Sequence, residues 1–172
     1  PRVAPRVNGG SKPTAAPAPN LSAPAPTPGT QPSLKILGQY TKDFSFENPN
    51  APQSLAPQQQ QPDINIAVNV NAKNLGPNDF EVELHLDAKA TGDGKVVFAA
   101  ELLYAGIFRL ENFPQNVLHA AVLIECPRML FPFARQIMAE ATRNGGFPPL
   151  MLDPIDFAAM YQRRMAQQKQ SA

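Results

Sequence analysis

The sequence predicts an α+β fold, and three observations predict it. Apolar residues recur at every second position in several stretches between residues 36 and 110, and at three- and four-residue spacing after residue 115. Between these stretches lie short clusters of Gly, Asn, Asp and Pro. Period two marks a half-buried strand and period 3.6 a helix laid on a core, while consecutive strands joined by short turns argue for an antiparallel meander.

Taken in order, residues 1–34 hold nine of the 20 prolines among Ala, Thr, Ser, Asn and Gly. So few large apolar side chains cannot offset the entropy of ordering, and the segment is read as a disordered, partly polyproline arm. The folded body is read as residues 35–166, with 167–172 as a flexible tail. Ile36 to Glu47, with Tyr40, Phe44 and Phe46, reads as a first strand that stops at Asn48-Pro49-Asn50-Ala51-Pro52, a loop with two fixed φ angles. Ser54 to Pro62 is Gln-rich and aperiodic and reads as a crossover loop. Ile64, Ile66, Val68 and Val70 alternate with Asn and Ala, and Phe80, Val82, Leu84 and Leu86 alternate with Glu81, Glu83, His85 and Asp87; each is a strand with one polar face. The turn Thr91-Gly92-Asp93-Gly94 leads into a long apolar strand, Lys95 to Leu110. Helical spacing then governs Gln115 to Glu125 and Pro127 to Asn144, with a kink or restart expected at Pro132, which lacks the amide that would bond residue 128. Gly145-Gly146 ends the helix, Phe147 to Leu152 is an extended connector, and a last helix is expected to open at Asp153-Pro154.

Charge divides the chain in the same way. Residues 1–34 carry Arg2, Arg6 and Lys12 and no acid, whereas residues 41–156 set 8 Lys/Arg against all 14 Asp/Glu, a net −6. An acidic body disfavours nucleic acid, whose phosphates need a clustered basic face. One cysteine and two histidines supply neither a disulfide nor a Cys/His zinc site. No run approaches about 18 uninterrupted apolar residues, and the first residues lack the apolar core of a signal peptide. The expectation is a soluble cytoplasmic chain that does not insert into a membrane.

Three residues invite chemistry. Cys126 precedes Pro127, and at a helix N-terminus its thiol would be activated; the ordinary alternative is a small buried apolar residue. His85 alternates with acids on a polar strand face, where a solvated side chain is the simple reading and a metal ligand the sharp one. Glu101 interrupts the apolar run from Val96 to Leu103, so it either pairs across the sheet or faces a partner. The chain has no GxGxxG, GxxxxGK[ST], HExxH, CxxC or GxSxG, and no catalytic residue, metal or cofactor is assigned. Ten phenylalanines and five methionines are a surplus of apolar surface suited to subunits or apolar partners.

Several segments together resemble the bacterial protein-export chaperone SecB: Tyr40 to Pro52 (YTKDFSFENPNAP), Glu101 to Phe108 (ELLYAGIF), Cys126 to Arg135 (CPRMLFPFAR) and Gly146 to Phe157 (GFPPLMLDPIDF). The resemblance runs over roughly residues 38–165. It implies a four-stranded antiparallel sheet with helices packed on one side, assembled as a dimer of dimers. Such a homotetramer binds unfolded precursor proteins, keeps them translocation-competent and delivers them to the motor ATPase SecA. The motif positions Asp43, Glu47 and Glu101 match acids with which the family docks SecA, and the family's nearby apolar contact is here the smaller Ala99. By the same resemblance, clients are bound by Ile64, Ile66 and Val68, by the loop from Pro49 to Pro62, and by a last-helix face of Ile155, Phe157, Tyr161 and Met165. A SecB-like chaperone dedicated to a single partner such as an antitoxin is the alternative.

Overall fold

The structure, a computed structural model, describes residues 31–57 and 60–171. Strands β1 (Ser33–Glu47), β2 (Asp63–Asn74), β3 (Asp79–Gly92) and β4 (Lys95–Glu111) are followed by helices α1 (Gln115–Asn144) and α2 (Phe157–Gln170). The strands form one sheet in the order β1-β4-β3-β2, with every neighbouring pair antiparallel. The last three strands are the expected meander. The chain between β1 and β2, with a 3-10 turn at Gln53–Leu55, crosses over so that β1 pairs with β4, which leaves β1 and β2 as the edge strands. Residues 1–30 of the Pro-rich arm lie outside the described residues, and Ser33 and Leu34, assigned to the arm from sequence, open β1.

Alternation makes the sheet two-faced. Val82, Leu84 and Leu86 of β3 and Leu102, Phe108 and Leu110 of β4 are buried under the helices, and the intervening residues form an outer face. Helix α1 supplies the other half of the core through Val122, Leu123, Cys126, Leu130, Phe131, Ala134 and Met138. Helix and sheet are in tight contact at Gly106, where an added Cβ would lie 2.9 Å from Leu130 Cδ2 of α1 and 2.8 Å from Phe108 Cε2 of its own strand.

The expected restart at Pro132 does not occur, since α1 is one helix of 30 residues with Pro127 and Pro132 inside it. An interior proline costs a helix about 3 kcal/mol. Each fully buried Leu, Phe or Met is worth about 1.5–3 kcal/mol, and the buried residues lie on both sides of each proline, so packing outweighs the two breaks. Helix α1 is long and apolar enough by length and composition to cross a membrane, with mean hydropathy 1.4 over its most apolar window; one stripe of it packs against the sheet, while Val117, Met129 and Phe133 stay exposed.

The last helix starts later than expected. Asp156 is its N-cap, accepting from the Ala159 amide at 2.9 Å, so residues 153–156 and with them Ile155 precede the helix. It continues to Gln170, past the expected start of the tail at Gln167. The connector before it is held by buried Thr142, whose hydroxyl accepts from the Leu150 amide at 2.8 Å and lies 3.0 Å from the Ala139 carbonyl oxygen.

Candidate functional site

The outer face is built by strand register. Asp43 pairs with Leu103, Ser45 with Glu101 and Glu47 with Ala99 across β1 and β4. The rows continue from Leu103 to His85 and Asn69, from Glu101 to Asp87 and Ala67, and from Ala99 to Lys89 and Asn65. Asp43, Glu47, Ala99 and Glu101, the four sequence-expected docking residues, therefore share one face.

A bulge puts the two β1 acids, Asp43 and Glu47, there. Tyr40 pairs with Ala105 on the outer face, and the register shifts between Thr41 and Asp43, leaving Lys42 as the extra residue. Unbroken alternation from Tyr40 would have turned Asp43 inward, because one residue of slip exchanges the faces.

Lysine 42 also sorts the acids. Its ammonium lies 3.0 Å from Glu81 Oε1 and also bonds Glu83, while the Tyr40 hydroxyl donates to Glu81. That hydroxyl first, and Lys42 second, hold the Glu81 carboxyl below its ordinary range. Arg109 grips Asp79 through two contacts of 2.7 and 2.8 Å and holds it low in the same way. Among the described residues Asp43, Glu47 and Asp87 form no ion pair, and Glu101 meets only the imidazole of His85, Nε2 to Oε1, at 2.9 Å. A depression of about 230 Å³ is lined by Asp43, Glu83, His85, Glu101, Asn69 and Asn71. Asp87 stands directly opposite Glu101, a like-charge pairing that works against the sheet. Sequence reasoning had not connected Asp87 with the acidic set, although alternation from Glu83 through His85 to Asp87 carries the signal.

The expected client-binding residues lie on the helix side but are not gathered in one place. Ile64, Ile66 and Val68 pair with Ala90, Ala88 and Leu86; Ile64 and Ile66 are 39% and 41% exposed, so this edge of the sheet is an uncovered apolar strip. Phe157 and Tyr161 line a separate hollow of about 440 Å³ with Met160, Leu123, Val70 and Arg164, and Arg164 Nη1 bonds the Val70 carbonyl oxygen at 2.9 Å. Phe157 is 1% exposed and packs edge-on against Phe131, so it is a core residue whose reading as an open helix face is corrected. Ile155, outside the helix, packs against the core. Met165 is half-buried, and Tyr161 is 3.1 Å from His119 Nδ1.

Cys126 is not at a helix start. It lies inside α1 at 0% exposure, and burial first, with Glu125 second, pushes its thiol up to about 12. A neutral buried thiol lacks the thiolate that nucleophilic chemistry needs, so the apolar reading holds. His85 meets Glu101 rather than a ligand set, and no group of three or more His, Cys, Asp or Glu able to hold a metal occurs among the described residues.

Comparison with known proteins adds three findings. The family model described as preprotein translocase subunit SecB matches residues 27–168. The protein-export protein SecB of Azorhizobium caulinodans is 60% identical over 147 residues, covering 86% of this chain and 92% of the relative, and that of Afipia carboxidovorans is 64% identical over 137 residues, covering 80% and 85%. Among solved structures, a Mycobacterium tuberculosis SecB-like chaperone in complex with an antitoxin peptide shares the fold, with TM-score 0.54 and 18% identity over 71% of this chain and 90% of that one.

Proposed function

Since this chain belongs to the SecB family, and so is a chaperone of protein export, we propose that it binds unfolded precursors on its apolar helix side and passes them to SecA from its acidic outer face, in the cytoplasm and as a dimer of dimers. The observation that carries the hand-off is the shared face of Asp43, Glu47 and Glu101, to which the Lys42 bulge brings the two β1 acids and which is left largely without cationic partners. Such carboxylates suit a basic partner segment, for which they speed encounter and set register. The uncovered Ile64 and Ile66 and the exposed Met129 and Phe133 of α1 support client capture and self-association on the other side, because exposed apolar patches that persist in a folded chain mark interaction surfaces. Flexible Met and aromatic side chains suit many client sequences.

The test is separation of the two activities. Asp43→Ala, Glu47→Ala and Glu101→Ala together should weaken SecA binding at least tenfold while a denatured precursor is still held from refolding at stoichiometric chaperone. Equal loss of both activities would make the acids structural. Dedication to an antitoxin is the weaker reading, since the relatives at 60% identity and above are export proteins.

A further inference from the structure

Histidine 85 lies in the middle of the acidic rows. Its Nε2 is 2.9 Å from Glu101 Oε1, and its side chain is 37% exposed. From β1 it is faced by Asp43, from β4 by Glu101 beside the directly opposite Leu103, and from β2 by Asn69 and Asn71, which do not titrate. On its own strand Glu83 is held by Lys42, and Asp87 has no cation. No other basic group reaches Glu101 within 4 Å among the described residues.

We propose that His85 sets the charge of this face, so that protonation of its imidazole weakens docking of a cationic partner segment. The inference rests on the docking reading above and names the residue that regulates it. Asp43, Glu47, Asp87 and Glu101 against Lys89 leave the three rows at −3 with His85 neutral and at −2 with it charged. The added charge sits against Glu101, the carboxylate at the centre of the rows. Histidine is the side-chain type that changes charge near neutral pH, which a lysine or arginine there would not do. An exposed ion pair is worth up to about 1 kcal/mol, or about a two- to fivefold loss of affinity. Reciprocity requires that a bound cation disfavour the imidazolium by the same factor.

The experiment is a titration of the full chain with a Lys/Arg-rich peptide at pH 8 and pH 6, at about 50 mM salt to limit screening, with the His85 imidazole followed by NMR. Wild type should bind about two- to fivefold more weakly at pH 6, His85→Gln should bind equally at both, and His85→Arg should be weak at both. Peptide should move the His85 titration midpoint to lower pH. His119, which bonds Tyr161 on the helix side, provides an internal reference. Equal affinity at both pH values in wild type, or the same pH dependence in His85→Gln, overturns the proposal alone. Absence of binding at pH 8 overturns the docking reading and this proposal with it.

Discussion

Gly106 is where the approach of α1 to the sheet can be measured. Its φ lies outside the left-handed region, so substitution to alanine raises only a question of space. The new Cβ would sit 2.9 Å from Leu130 Cδ2 and 2.8 Å from Phe108 Cε2, closer than nonbonded carbons tolerate. Leu130 and Phe108 are both fully buried, so the strain passes to the helix or the ring, and overpacking of this kind costs about 1–3 kcal/mol. Leu130→Ala removes three carbons, about 2.4 kcal/mol at 0.8 kcal/mol per carbon, and the cavity brings the cost to about 2–5 kcal/mol. Combined, the methyl at 106 enters the space left by Leu130. The double variant should therefore cost less than the sum of the singles by at least about 0.5 kcal/mol. Urea unfolding followed by circular dichroism, at fixed protein concentration because assembly shifts apparent stability, gives all four corners of the cycle. Additive costs, or a neutral Gly106→Ala, would refute the claim that this contact sets the spacing of helix and sheet.

Three further outcomes follow from burial and charge. Cys126 should resist iodoacetamide at pH 8 in the native protein and react on unfolding, since its buried thiol is pushed up to about 12; rapid native labelling would contradict its place in the core. Phe157→Ala should cost about 3–5 kcal/mol as a core truncation, whereas Ile66→Ser, at a side chain 41% exposed, should change stability by less than about 1 kcal/mol yet reduce precursor capture; a reversed order of stabilities would sink the assignment of core and strip. Asp79, held low by Arg109, contributes stability that is present above its unfolded value and is lost as pH falls through the lower folded value. Asp79→Asn should thus make the decline in stability below about pH 4 shallower, and an unchanged acid limb in a pH series of urea midpoints would contradict that pairing.

Much of the fold was legible because period and turn chemistry are local. Alternation and β-favouring residues located β1, β2 and β3, a long apolar run located β4, and Gly145-Gly146 marked the end of α1 within one residue. At Pro132 a local rule met a nonlocal force: a missing amide allows a restart, but the buried residues on either side clamp one continuous helix to the sheet. Phe157 misled because helical spacing shows that a stripe exists without showing which side of it is covered.

The candidate site divides along the same line. By itself the sequence determined an acidic body, strands with one polar face, and the presence of Asp43, Glu47 and Glu101 in motif segments, since charge and alternation need no tertiary partner. Only the tertiary structure decided that the Lys42 bulge turns Asp43 outward, that Lys42 occupies Glu81 and Glu83, that Asp87 faces Glu101, and that His85 reaches Glu101. The physical reason is register: which residue stands opposite which depends on how strands from distant parts of the chain hydrogen-bond, and a one-residue slip moves a side chain to the other face.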